Sequence, residues 1–244
     1  LIQLRDQSLV QAQDQLDEIA SSLAKAMSTN VTAGTQVTSG ASNGYEVDLA
    51  DVRNGNEFTF KYLQGGAEKT VRVMRVDDTS KLPLDYVDAN GARVIGLDFS
   101  GGTASVAAQL QSKLGTSFSV STTLRVMDDG VAGTTDMLSL STRTTASGVQ
   151  NGTLGFSLFV DTNNADFTDS LDGVGQKLGF AGRISVNQAV VNDNKLLVQY
   201  TGTTPLGDQD RLNQIVSNLD GMRFAGAQGA SGTTASFRLG GTVA

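Results

Sequence analysis

Apolar residues recur every seventh position at the start of the chain, at Ile2, Leu9, Leu16 and Leu23. Ala12, Ile19 and Ala26 form a second row with the same period. Interleaved at spacings of three and four, the two rows draw one narrow apolar seam along a helix. Asp6, Gln7, Gln11, Gln13, Asp14, Gln15, Asp17 and Glu18 fill the remaining positions. The pattern predicts a helix over residues 1–27, about 40 Å long at 1.5 Å per residue. It is too polar for a core helix, and its stripe calls for a second helix alongside. Residues 208–219 supply the candidate, with Leu212, Ile215, Val216 and Leu219 at helical spacing and Asp208 as N-cap. The residues expected to pack the helix seam are therefore Ile2, Leu9, Ala12, Leu16, Ile19, Leu23, Leu212, Ile215, Val216 and Leu219. Packing within the chain is the first expectation and packing between subunits the second.

The region between the helices has strand character. Residues 28–44 are small, polar and punctuated by glycine, and read as a linker. Residues 45–49, 57–63 and 70–76 alternate, with Gln64-Gly65-Gly66-Ala67 as a hairpin connection. Residues 86–90 run into a turn at Gly91, and residues 94–99 read as a short strand. A helix then opens at Thr103 as N-cap, presents Val106, Ala107, Leu110 and Leu114 on one face, and closes at Gly115. Residues 118–127 read as a strand, Asp128-Asp129-Gly130 as a turn, and residues 137–142 as the returning strand. Residues 154–160 give one more strand, and residues 161–171 are turn-rich. Ile184 and Val186 suit a strand end, and Asn187 suits the cap of a helical turn carrying Ala189, Val190 and Val191. Residues 225–244 are rich in Gly, Ser and Thr.

The fold class expected is α+β. A helical stem, made of the long N-terminal helix packed with a C-terminal return helix, carries a β-rich outer domain with one short amphipathic helix. Residues 1–40 form the first part of the stem, residues 41–178 the outer domain, and residues 179–244 the return segment with the second stem helix.

Composition changes this picture chiefly by exclusion. Histidine is absent, which removes the usual general base, zinc ligand and triad partner together. Cysteine is absent too, so disulfides, thiol chemistry and tetrahedral zinc go with it. The net charge is −7, with the excess acid in residues 31–180. A surface of that sign repels phosphate backbones and anionic lipid heads, so neither nucleic acid nor membrane is an expected partner. No apolar run approaches a membrane-spanning length.

Motif matches are weak. Gly40-Ala41-Ser42-Asn43-Gly44 fits G-x-S-x-G, yet no apolar strand precedes it and no histidine exists to serve it. Ser22-Leu23-Ala24-Lys25 fits S-x-x-K on the seam helix, without the companion motifs. Asp85, Asp88 and Asn90-Gly91, and likewise Asp128-Asp129-Gly130, offer oxygen ligands for calcium, but Asp and Asn before Gly are ordinary turn chemistry. No phosphate-binding loop and no dinucleotide fingerprint occurs. No catalytic residue, metal or cofactor is expected, and the chain does not read as an enzyme.

Three pieces then become familiar. The first is Leu4-Arg5-Asp6 followed by the heptad helix with Leu16-Asp17-Glu18-Ile19-Ala20. The second, and most specific, runs from Gly179-Phe180-Ala181-Gly182-Arg183 through Ile184-Ser185-Val186-Asn187, with Val190, Val191 and Asp193 behind it. The third is Thr204-Pro205-Leu206-Gly207-Asp208. In order and separation they resemble the bacterial flagellar hook-associated protein 1 family, the hook–filament junction proteins. The chain departs from that family where Met27-Ser28-Thr29-Asn30 runs into Val31 with no Asn-rich, His-containing stretch. It also lacks the family's terminal helices, so it reads as a middle fragment.

The resemblance implies a structural subunit, forming a ring of its own copies and joining hook protein to the second junction protein. It implies export through the flagellar type III channel and folding outside the cell, on the flagellum. A readily unfolded chain without cysteine suits that route. Related axial proteins, whether second junction protein, cap or flagellin-like, are the alternative within the class. A surface glycan-binding or adhesin module is the alternative outside it, although four tyrosines and no tryptophan make a poor sugar-stacking platform.

Overall fold

The structure is a computed structural model that describes residues 8–222, apart from 89, 131 and 132. It is α+β, with a long N-terminal helix and several sheets. The helix α1 spans Leu9–Ser28 and stops where Thr29 turns extended, its N–H still bonding the Lys25 carbonyl. Seam residue Ile2 and the Gly-, Ser- and Thr-rich segment 225–244 lie outside the described residues. The chain divides into two compact units. One takes Leu1–Asn30, Thr145–Asp169 and Gly175–Ala244, the other Val31–Thr144 and Ser170–Val174.

The second unit is built on ten strands and one helix. They are β1 (Thr29–Ala33), β2 (Thr35–Ser39), β3 (Ser42–Glu46), β4 (Glu57–Gln64), β5 (Ala67–Arg75), β6 (Leu84–Val87), β7 (Arg93–Leu97), α2 (Gly102–Leu114), β8 (Ser119–Val120), β9 (Arg125–Met127) and β10 (Thr135–Thr145). A six-stranded sheet runs β1-β10-β4-β5-β7-β6, and a four-stranded sheet runs β2-β3-β9-β8. Alternation decides the faces. Phe58 and Phe60 lie opposite Val73 and Val71 and enter the core, where Val106, Ala107 and Leu110 of α2 meet them. Phe118 stands edge-on to Phe60 and Tyr62 at 5.7 and 4.9 Å. On the opposite face of β4, Glu57 is buried between Arg72 at 2.8 Å and Arg143 at 3.0 Å.

Four expectations are corrected here. Residues 28–44 are not a linker: they form β1, β2 and most of β3, because threonine and valine alternate there and Gly34 and Gly40 supply the corners. The strand expected over 118–127 breaks at residues 121–124, where the Leu124 N–H bonds back to the Ser121 carbonyl. Leu124 adopts φ 53°, a left-handed conformation costing about 1 kcal/mol, and its side chain is fully buried in return. Nor do β9 and β10 form a hairpin. They belong to different sheets, and Asp128-Asp129-Gly130 carries the chain across. The Asp128 carboxylate accepts from the Asn43 and Gly130 N–H groups, and Asp129 accepts from Thr134 and Thr135. The α2 helix begins beside Gly101, which has no side chain to cap it, rather than at a Thr103 cap.

The first unit is looser in secondary structure. Besides α1 it holds β11 (Phe159–Asp161), flanked by β12 (Ala165–Asp166) and β15 (Ser185–Val186). The short pair β13 (Ser170–Leu171) and β14 (Val174–Gly175) comes between β12 and β15 in the chain, in the segment Ser170–Val174 that counts with the second unit. The helices α3 (Gln188–Asn192) and α4 (Asp210–Asp220) follow. Asn187 caps α3 as its position suggests, its Oδ1 accepting from the Ala189 N–H at 2.9 Å. Only Phe159–Asp161 of the strand expected over 154–160 forms, since the carbonyls before it turn inward to Arg211. Among the described residues no helix is long and apolar enough to cross a membrane.

Candidate functional site: the two faces of the first helix

The face of α1 that its own unit buries is the polar one. Asp17, Glu18, Ser21, Ser22 and Ser28 are buried there beside Ala20, Ala24 and Met27. The acceptors those acids offer are matched by donors in the segment that carries the most specific familiar motif. The Asp17 carboxylate takes the Gly179 N–H at 2.6 Å and the Ala181 N–H at 2.8 Å. Glu18 pairs with Lys177 and takes the Ser22 hydroxyl at 3.3 Å. Gly179 sits at φ 73°, the left-handed conformation that only glycine adopts freely. That turn drives Phe180 down onto Ala20, Ala24 and Phe167, with the two rings 4.2 Å apart.

Arg183 locks the far side of the turn. It forks onto Asp161 at 2.8 and 3.2 Å and gives further hydrogen bonds to the carbonyls of Gln176 and Leu178. Burial of Asp161 opposes its ionisation, but the Arg183 guanidinium and the Thr162 N–H prevail and hold its pKa below the ordinary value.

The predicted seam lies elsewhere on the helix, roughly 130° round from the buried face. Leu9 is 57% exposed, Leu16 56% and Ile19 37%, while Ala12 is exposed and Leu23 half-buried. On α4, Leu212 is 43% and Val216 57% exposed, with Ile215 and Leu219 half-buried. Leu9, Ala12, Leu16, Ile19, Leu212 and Val216 are thus exposed, and the half-buried members of the two rows are Leu23, Ile215 and Leu219. Between the two helices Asn218 Nδ2 donates to the Ala26 carbonyl at 2.6 Å. An isolated exposed leucine means little, whereas a heptad row of them is unusual on a lone helix.

Sequence reasoning missed the anchor of α4. Arg211 is fully buried and reaches five carbonyls: Val149 and Leu196 at 2.8 Å, Thr153 at 2.9 Å, Leu154 at 3.2 Å and Gln199 at 3.4 Å. Its guanidinium lies 4.6 Å from the Phe156 ring centre and 5.5 Å from that of Tyr200. Burial lowers its pKa to about 10, so it stays charged at neutral pH. An arginine in a polar first turn carries no sign of this in sequence. Only the accumulation of carbonyl-rich loop around 149–154 and 196–199 creates the socket.

The other residues singled out have partners of their own. Asp85 pairs with Arg93 and Lys113, and Asp88 with Arg72 and the N–H groups of Asn90 and Ala92. Ser42 opens β3, and Lys25 pairs with Asp169. Among the described residues no three His, Cys, Asp or Glu side chains gather as a metal cage. Leu9, Leu16 and Ile19 of α1 and Leu212 and Val216 of α4 are exposed apolar side chains at helical spacing. No family model, no curated protein and no solved structure matches the chain.

Proposed function

We propose that the chain is a structural subunit of the bacterial flagellum that joins hook to filament, with α1 and the return helix α4 forming a helical stem. The observation that carries this reading is the exposed heptad row of α1, which a lone subunit would leave wet. A further support is that two of the three familiar pieces touch, through Asp17 and the Gly179–Ala181 turn. In this reading the seam packs against stem helices of neighbouring copies, and the β-rich unit faces outward, outside the cell. Partners are its own copies, hook protein and the second junction protein, with neither nucleic acid nor membrane involved. It performs no chemistry. A related axial protein of the filament cap or second junction is the runner-up.

Deletion and labelling in a motile host that encodes the chain test this. Loss of the gene should leave hooks without filaments and flagellin free in the medium, and gold-labelled antibody should mark the hook–filament junction. Normal filaments after deletion, or label spread along the filament, would remove the reading. Leu16→Lys with Ile19→Lys should reproduce the deletion while the purified protein keeps its melting temperature, because both side chains are exposed.

A further inference from the structure

An asparagine followed at the second position by threonine or serine is the acceptor sequence for a sugar attached to the side-chain nitrogen. The chain has two such runs, Asn30-Val31-Thr32 and Asn151-Gly152-Thr153. The match is weak by itself, because the residue types are common. The geometry of each run separates them.

The first run lies in β1. An extended strand carries residues two apart about 6–7 Å from one another, so the Thr32 hydroxyl stands off from the Asn30 carboxamide. That carboxamide is also packed inward. Asn30 Oδ1 lies 2.6 Å from where a side chain on Gly155 would begin.

The second run is a closed turn on the surface. Asn151 Oδ1 accepts from the Thr153 N–H at 2.9 Å and from the Thr153 hydroxyl at 2.8 Å, with the Gly155 carbonyl a second acceptor for that hydroxyl at 3.0 Å. Gly152, at φ 83°, makes the corner, and its N–H bonds the Tyr200 carbonyl at 3.0 Å. Arg211 holds the carbonyls of Val149, Thr153 and Leu154 on either side. The backbone is thus tied inward at every residue around Asn151, while Gly152 and Thr153 are exposed and Asn151 is half-buried. Both bonds to the carboxamide fall on its oxygen, so Nδ2 remains for an outside partner. A hydroxyl donating to the oxygen of an amide draws electron density from its nitrogen and makes the N–H protons easier to remove. Loops of this kind, with backbone anchored and side chain presented, are where modification falls.

We propose that Asn151 is a glycosylation site, its Nδ2 taking a sugar activated at the anomeric carbon as a diphosphate ester. The bond from Nδ2 to the anomeric carbon forms as that carbon's bond to the diphosphate oxygen breaks. The electron pair leaves with the diphosphate, and one Nδ2 proton passes to a base of the host glycosyltransferase. This modification is independent of the stem and of any assembly.

Intact mass and peptide fragmentation of the chain isolated from a host that encodes it test the proposal. The mass should exceed that of the sequence by whole sugar residues, carried on Asn151. Thr153→Ala and Asn151→Gln should each abolish the addition. Thr153→Ser, which keeps the hydroxyl, and Asn30→Gln should retain it. Circular dichroism of Thr153→Ala should match that of the native chain, since the Thr153 N–H still closes the turn. Transfer to the bare chain by a membrane-free host extract with UDP-glucose, UDP-galactose or UDP-N-acetylglucosamine marks a nucleotide-linked donor. Transfer by washed host membranes alone marks a lipid-linked one. The proposal fails if Asn151 of the native chain is bare, if sugar sits only on Asn30 or on serine and threonine hydroxyls, or if Thr153→Ala is modified as fully as Thr153→Ser.

Discussion

Arg211→Met is the most demanding test of how the first unit holds together. Methionine keeps the length and apolar bulk of the stem and removes every donor. Five carbonyls, on Val149, Thr153, Leu154, Leu196 and Gln199, lose the guanidinium that serves them. A buried acceptor left unmet costs about 1–3 kcal/mol, and water entering beside the smaller side chain recovers part of it. The contacts to Phe156 and Tyr200 add about 1 kcal/mol. Against this, the variant no longer buries a charge. Burial already lowers the arginine pKa to about 10, so desolvation works against the native chain at neutral pH. The loss outweighs the relief because the carbonyls remain where they are while their partner is gone. The expected cost is about 3–5 kcal/mol.

Arg211→Lys should fall between the two, since one ammonium has three donors and no plane to stack. Urea unfolding with hydrogen exchange read by peptide is the assay. Peptides from 145–160 and 194–212 should lose protection in Arg211→Met, while those from 57–75 keep theirs. A change below about 1 kcal/mol would mean the carbonyls are hydrated in the native chain, and the argument from burial would be wrong. Equal loss in both sets of peptides would refute the localisation.

Other expectations follow from single contacts. Asp17→Ala leaves the Gly179 and Ala181 N–H groups without their acceptor and should cost about 2–3 kcal/mol in the first unit, read as a fall in urea midpoint. Gly44→Ala places a Cβ 2.1 Å from the Val126 carbonyl oxygen, which is backbone and has no rotamer to yield, so the β3–β9 pairing should open and the variant should be recovered largely unfolded by circular dichroism. Acid should weaken the first unit through Asp161. Its folded pKa lies below the ordinary 3.8, so its contribution is full above that value and is lost as pH falls through the lower folded one. Asp161→Asn should be less stable than the native chain at neutral pH, and its stability should fall less steeply below pH 3.8.

Periodicity made both helices legible, along with the β4–β5 hairpin and the α2 helix that closes at Gly115. Each of these is local: a heptad, an alternation, a glycine at a turn. The failures are non-local. Nothing in residues 118–142 distinguishes a hairpin from a crossing between sheets, because β9 and β10 alternate alike and only their partners differ. Residues 28–44 looked like linker because their apolar positions are few. They pair nonetheless, since a sheet asks for backbone partners first and for side-chain burial second.

The seam shows the limit most sharply. A hydrophobic stripe states which face of a helix avoids water, not which neighbour removes it from water. In α1 the contact that the chain makes for itself uses the opposite logic. Asp17 and Glu18 are buried because Gly179, Ala181 and Lys177 complete them, which offsets the cost of taking a carboxylate out of water. The sequence carried both halves of that contact as separate motifs, with Asp17 and Gly179 162 positions apart, and no local rule links them. Once the polar face is taken, Leu9, Leu16 and Ile19 are left over. A helix whose inward face is held by hydrogen bonds can keep its apolar row free for another chain. On the proposed reading, that separation lets a subunit fold before it assembles.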